Sequence, residues 1–149
     1  MLKTGKELEA VSRKSGVRFA LENVLPGPAT ELVETALKYL DPTCFGFCYD
    51  SSHDQIGGPK PFDLLLRQKN RVFAVHLSDR TADFVDHMPP GEGWINWETL
   101  IAALKTGVFS GPLLFEVMVT NASQKDTDAF LELVYRQANW INVLFQQSF

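Results

Sequence analysis

Apolar positions along the chain follow two alternating rhythms. Four short runs are apolar on both faces and end in polar residues: "VRFALENV" (17–24), "CFGFCYD" (44–50), "RVFAVHLSD" (71–79) and "GPLLFEV" (111–117). Such runs, rich in β-branched and aromatic residues, predict buried strands. Between them the spacing turns helical. Leu32, Val33, Ala36, Leu37 and Leu40 predict a helix over 28–40, with Pro28 near its first position and "DP" (41–42) as its stop. A shorter helix is predicted over 61–69. Asn96 is placed to cap "WETLIAALKTG" at its start and Gly107 at its end. Ser123 with Asp126 resembles a capping box for a last helix over about 124–145. The opening "KELEAVSRKSG" (6–16) predicts a helix ending at Gly16. The order is α-(βα)4, which predicts an α/β fold with a parallel sheet in one domain, residues 1–149.

The polar ends of the strands carry the candidate chemistry. The first ends with Glu22, the second with Asp50, the third with His76 and the fourth with Glu116. In parallel α/β folds the C-terminal strand ends gather on one rim, where sites form. Taken singly, each residue has a plain structural reading: a solvated loop acid, a turn cap in the case of Asp50, a satisfied strand histidine. Together, three carboxylates and an imidazole suit a divalent cation such as Mn2+, Mg2+, Co2+ or Zn2+. Without a cation, clustered carboxylates repel and some take up protons. His53, three residues past Asp50, is either a further ligand or a substrate hydrogen-bond donor. His87 lies in the long loop before "PPGEG", which can fold over the rim.

Composition narrows the classes. With 149 residues, 45% hydrophobic and 21% charged, the chain reads as an ordinary globular protein. A net charge of −4 and the lack of any Lys/Arg run argue against a phosphate-backbone binder. No apolar run approaches a membrane span, and "MLKTGKELEA" lacks a signal-peptide core, so a cytoplasmic location is expected. The two cysteines, Cys44 and Cys48, stand four residues apart in one strand. Roughly 13 Å of extended chain between them is too long for a disulfide, which predicts buried free thiols.

Five segments in this order, "ALENV", "CYDSSHD", "VFAVHLSDR", "HMPPGEGWINWETLIAAL" and "GPLLFEV", resemble the xylose-isomerase-like TIM-barrel superfamily: sugar-phosphate isomerase/epimerase-type proteins, with the endonuclease IV branch as a relative. The resemblance implies that Glu22, Asp50, His76 and Glu116 bind a divalent metal. It implies that Glu22 and Glu116 also form an acid/base pair, moving a proton at the carbon alpha to a carbonyl through an enediolate. The substrate implied is a small carbohydrate or polyol. His53 matches a substrate contact in epimerases and a metal ligand in the endonuclease branch. His87 matches a metal-binding loop histidine of that branch. The acid which that branch places two residues earlier falls at Val85, with Asp86 shifted by one, a departure from a trinuclear zinc site. Arg80, just past "HLSD", is a further candidate substrate contact.

Length sets a condition on all of this. A (β/α)8 barrel takes about 250 residues. This chain supplies four strands, which match the C-terminal half of the family: a parallel (βα)4 half-barrel preceded by a helix. A half-barrel leaves two strand edges and an inner face open, which predicts self-association or a missing N-terminal half. Three functions follow: a metal-dependent sugar isomerase or epimerase, a zinc-dependent DNA-repair endonuclease, or a non-catalytic half-barrel.

Overall fold

A computed structural model of the chain describes residues 2–147. Five helices and four strands alternate: α1 (Leu2–Ser15), β1 (Phe19–Glu22), α2 (Pro28–Tyr39), β2 (Phe45–Asp50), α3 (Asp63–Gln68), β3 (Val72–Leu77), α4 (Trp97–Lys105), β4 (Leu114–Phe115) and α5 (Thr127–Gln146). The strands form one sheet in the order β1-β2-β3-β4, every pair parallel. This is the expected half-barrel topology. None of the described helices is long and apolar enough to cross a membrane.

The two faces of the sheet differ. Phe47, Tyr49, Val72, Val75 and Leu77 point outward and are buried under the helices, with Leu37, Leu65, Leu100 and Ile101 packed on them. The opposite face carries Ala20, Gly46, Phe73, His76 and Leu114. Burial there is uneven: Gly46, Cys48 and Asp50 of the inner strand β2 are buried, but Ala20 is exposed, Phe73 and His76 are part-exposed, and Leu114 is 51% exposed. The apolar core therefore lies between sheet and helices, while the inner face is open to water along β1 and β4.

One residue pair on that inner face is sterically exclusive. The β2–β3 register shifts between Phe47 and Cys48, whose partners are Val72 and Ala74, so Phe73 is the extra residue of a bulge. Its ring lies over Gly46, where an added Cβ would meet ring carbons at 2.1–2.4 Å. The Arg18 guanidinium covers the same ring at 4.4 Å.

α1 is fastened to the β1 side by a buried acid. Glu9 accepts from the Asp41 amide (2.9 Å) and from Lys6 Nζ (2.8 Å), and Arg13 donates to Asp41 at 2.7 Å. The Lys6 bond holds the Glu9 carboxyl below its ordinary range. The Thr43 hydroxyl, then Arg13, do the same for Asp41. Gly5 lets α1 approach Leu40, whose Cδ2 lies 2.7 Å from where a Cβ would stand.

Several boundaries differ from expectation. Asn96 caps α4 as predicted, accepting from Thr99 N, but the chain leaves that helix at Thr106 in a right-handed conformation. Gly107 is needed for space instead: a Cβ there would sit 2.4 Å from the Lys69 carbonyl oxygen. For α5, Asp126 itself is the cap, accepting from Ala129 N, while Ser123 bonds to Glu92. Leu32, assigned to the buried stripe of α2, is 55% exposed. β4 is two residues long because only His76 and Leu77 pair with it among the described residues.

The Gly46–Phe73 contact yields a test. Gly46→Ala is expected to lower stability by about 1–3 kcal/mol, the usual cost of overpacking. Adding Phe73→Ala should recover most of that loss. Urea unfolding of the two variants measures both; equal costs with and without Phe73 would show that the contact is not the cause.

Candidate metal centre

Four strand ends converge. Asp50 and His76 are register partners in β2 and β3. Glu22 ends β1, and Glu116 follows β4, its amide bonded to the Leu77 carbonyl at 3.1 Å. One ligand-type atom from each of Glu22, Asp50, His76 and Glu116 lies within 4.8 Å of all the others. His76 Nδ1 is 2.9 Å from Glu22 Oε1 and 2.7 Å from Glu116 Oε2. One ring nitrogen thus faces two carboxylates and can offer at most one proton between them.

Asp50 is the most constrained of the four. Its side chain is wholly buried. Oδ1 accepts from the Ser52 amide and hydroxyl, both at 2.8 Å, which caps the short turn Ser51–His53. Oδ2 has no hydrogen-bond partner; His53 Nδ1 lies 3.3 Å away. Burial pushes this carboxyl up from its ordinary range, partly opposed by His53 and Ser52. A buried carboxylate oxygen without a donor, facing two further carboxylates and an imidazole, fits a cation site. Cys48, the register partner of Glu22, forms a neighbouring group with Glu22 and His76. Burial, then the charges of Glu22, Asp50 and Glu116, push its thiol up to about 12, so it remains protonated. Both cysteines are free and buried.

Backbone-like bonds hold the converging ends. Asn23, fully buried, donates from Nδ2 to the Asp50 carbonyl (2.9 Å) and accepts from the Asp50 amide at Oδ1 (2.8 Å). Ser51 Oγ donates to the Ser78 carbonyl (2.7 Å) and accepts from the Ser78 amide (3.0 Å). Each side chain continues the ladder one step past the last strand pair.

The loop after β3 is built on Asp79. Its carboxylate accepts from the amides of Arg80, Gly91 and Ile95 and from Trp97 Nε1, all at 2.9–3.0 Å. Gly93 must be small, since a Cβ would stand 2.3 Å from Asp79 Oδ1. This folds "HMPPGEG" back so that Met88 pairs with Asp79 and His87 Nδ1 reaches the Glu116 carbonyl at 3.1 Å. His87 takes a left-handed conformation, φ 50°. Its ring meets that of His53 edge-on at 5.4 Å. Asp50, His53 and His87 form a second group of ligand type. Asp86, shifted by one from the expected acid position, still brings Oδ2 within 3.4 Å of His53 Nε2.

Arg80 stands apart from these groups. It is 5% exposed; its guanidinium donates to the carbonyls of Asp54 (3.0 Å) and Thr81 (3.1 Å) and stacks on Phe84 at 4.0 Å. Expected as a substrate contact, it is engaged here in bracing loops. Asn23, Ser51 and Asp79 escaped the reading of the sequence. Asn23 and Ser51 each directly follow a candidate ligand at a strand end, and Asp79 ends the third apolar run, but nothing in the sequence shows their buried partners.

Residues 3–137 match the family described as xylose isomerase-like TIM barrel. The chain belongs to this family. Relatives of the xylose isomerase-like barrel include the uncharacterized protein y4fM of Sinorhizobium fredii, 26% identical over 113 residues, 74% of this chain and 36% of that protein. Similar solved structures include a D-tagatose 3-epimerase-like protein (TM-score 0.72, 18% identity, 96% of this chain and 54% of that one). An IOLI protein with a bound zinc atom is another (0.67, 21%, 99% and 56%). A xylose isomerase domain protein of Alicyclobacillus acidocaldarius subsp. acidocaldarius is a third (0.67, 20%, 93% and 55%). The chain thus spans about half the length of the solved barrels it matches, and about a third of y4fM.

The Asn23 bridge can be tested directly. Asn23→Ala leaves the Asp50 amide and carbonyl unpaired in a buried setting and is expected to cost about 1–3 kcal/mol. Hydrogen exchange should show the Asp50 amide losing protection ahead of the β2 interior. Unchanged protection at Asp50 would mean that the bridge does not hold the strand end.

Proposed function

We propose that Glu22, Asp50, His76 and Glu116 hold one divalent cation, and that the chain carries the metal-binding, acid–base half of a sugar isomerase or epimerase site. The observation that carries this reading is the convergence of ligand-type atoms of Glu22, Asp50, His76 and Glu116 within 4.8 Å of one another, with one oxygen of the buried Asp50 carboxylate lacking a hydrogen-bond partner. Three oxygens and one nitrogen suit Mn2+, Mg2+, Co2+ or Zn2+. A cation bound there supplies Lewis-acid polarisation of a substrate carbonyl.

The protein's own groups divide the remaining work by exposure. Asp50 is buried and bonded to Ser52, so its role is to hold. The Glu22 and Glu116 side chains are 36% and 44% exposed and flank His76, so they can reach a small polyol or ketose on the inner face. One glutamate takes the proton from the carbon alpha to the carbonyl, and the other returns a proton to the substrate. His76 lies between the two carboxylates, its Nδ1 2.9 Å from Glu22 and 2.7 Å from Glu116. His53, beside Asp50, would contact a substrate hydroxyl through Nε2 by giving up its 3.4 Å contact with Asp86. Likeness to a D-tagatose 3-epimerase-like protein supports this reading at the level of the fold.

A second reading has its own observation. The Asp50–His53–His87 group with Asp86 nearby resembles a further ligand set, as an endonuclease IV-like zinc enzyme requires. The net charge of −4 opposes it, since a DNA enzyme must neutralise phosphates. A non-catalytic half-barrel is the third reading.

Calorimetry and elemental analysis separate the three. One Mn2+ or Co2+ per chain is expected, with affinity falling at least about tenfold in Asp50→Asn and Glu116→Gln. His53→Ala and His87→Ala should leave that stoichiometry intact. Two or three Zn2+ per chain, reduced by His53→Ala, would favour the endonuclease reading. Metal binding undiminished in Glu116→Gln would overturn the ligand assignment, and no binding at all would leave the non-catalytic reading.

A further inference from the structure

The four-residue set leaves a buried thiol beside it unused. Cys48 lies on the inner face of β2, one inward position before Asp50, and is 4% exposed. It is the register partner of Glu22 on one side and of Ala74 on the other. Its Sγ, a Glu22 oxygen and a His76 nitrogen all lie within 4.8 Å of one another. The two cysteines differ in what engages them. Cys44, just before β2 begins, donates from Sγ to the Glu9 carbonyl at 3.8 Å. Among the described residues, no hydrogen bond engages the Cys48 thiol.

Thiolate, imidazole and carboxylate make a softer set than three carboxylates and an imidazole. Oxygen-rich sets suit Mg2+ and Mn2+, whereas a thiolate selects thiophilic cations such as Zn2+ and Cd2+. Three protein ligands suffice for such a cation, with the fourth position left to solvent or substrate. A thiol that coordinates a cation is deprotonated outright, and its proton leaves to solvent as the sulfur–metal bond forms. The two sets share Glu22 and His76. A cation held with Cys48 therefore deprives the other set of two of its four ligands.

We propose that Cys48, Glu22 and His76 form a second cation position, selective for thiophilic cations and exclusive of the position that includes Asp50 and Glu116. The inference rests on the reading of this rim as a cation centre. Filling the thiolate position withdraws Glu22 and His76 from Glu116 and so separates the two glutamates of the proton-transfer pair. A thiophilic cation is then a competitor of Mn2+ here, not its equivalent. Titrations of the full chain with Cd2+ and with Mn2+ test this. One Cd2+ per chain is expected, with a thiolate-to-cadmium charge-transfer band in the ultraviolet difference spectrum and displacement of bound Mn2+. Cys48→Ser should abolish the band and lower Cd2+ affinity at least about tenfold. Its Mn2+ affinity should stay close to the parent's, which also reports that the variant is folded. Cys44→Ser should keep the band. Glu116→Gln should show the reverse selectivity, with weaker Mn2+ binding and little change in Cd2+ binding.

Three results would overturn the proposal: Cd2+ bound without the band, a band that survives Cys48→Ser, or Cd2+ and Mn2+ bound together. The two cations also keep its failure distinct from that of the four-residue assignment. Mn2+ uptake without a thiolate band for Cd2+ sinks the Cys48 position alone. A thiolate band lost in Cys48→Ser, with no Mn2+ uptake by the parent, sinks the four-residue set alone. Uptake of neither cation overturns both.

Discussion

Two side chains determine where the parallel strands of this sheet end relative to one another. Asn23 exchanges a pair of hydrogen bonds with the Asp50 backbone, and Ser51 does the same with Ser78. In each case a short polar side chain replaces a backbone partner just where the chain leaves the sheet. Without them, two amides and two carbonyls at fully buried positions would lack partners. The cluster depends on this fastening, because Glu22 immediately precedes Asn23, Asp50 precedes Ser51, and His76 is two residues before Ser78. Two of the four ligand-type residues, Glu22 and Asp50, are next to a residue whose side chain locks a strand end.

Much of this was legible in the sequence, for a physical reason. Strands buried on both faces write themselves as continuous apolar runs, and helices covering them write a 3.6-residue stripe. Element order, parallel topology and the convergence of Glu22, Asp50, His76 and Glu116 follow from those two periods. What they do not encode is side-chain satisfaction. Asn23 and Asp79 look like ordinary loop residues until their buried partners are seen. Arg80 looks like a free cation beside a site, yet carbonyl groups and the Phe84 ring engage it. The shortness of β4 was hidden for a related reason: pairing length is set by the neighbour, and β4 has one neighbour among the described residues.

The bulge at Phe73 shows how a half-barrel manages an inner face that no partner strand covers. The Phe73 ring of β3 lies over Gly46 and shields β2 from the inner side, and Arg18 covers the ring in turn. Inner positions nearby are small, Ala20 and Ala74, so little apolar area is left in water there. On the outer side the opposite holds. α5 buries Ile141 and leaves Leu131, Tyr135 and Val143 to solvent, too much apolar surface on one helix for a finished face.

This contrast separates two requirements that a complete barrel meets together. All candidate ligands come from four successive strands, and their bracing residues come from the same strands or the loops just beyond them. The geometry needed to hold a cation is therefore internal to this chain. Enclosure of a substrate is not, because the inner face is open at Glu22 and Glu116, where water would compete for their charges, while Asp50 is buried. A carboxylate pair that is 36% and 44% exposed has weaker electrostatic leverage on a bound carbonyl than one sealed beneath four more strands. On the proposed reading, affinity for metal and capacity for turnover are therefore separable: strand ends such as Asp50 and His76 would set the first, and what closes over Glu22 and Glu116 the second.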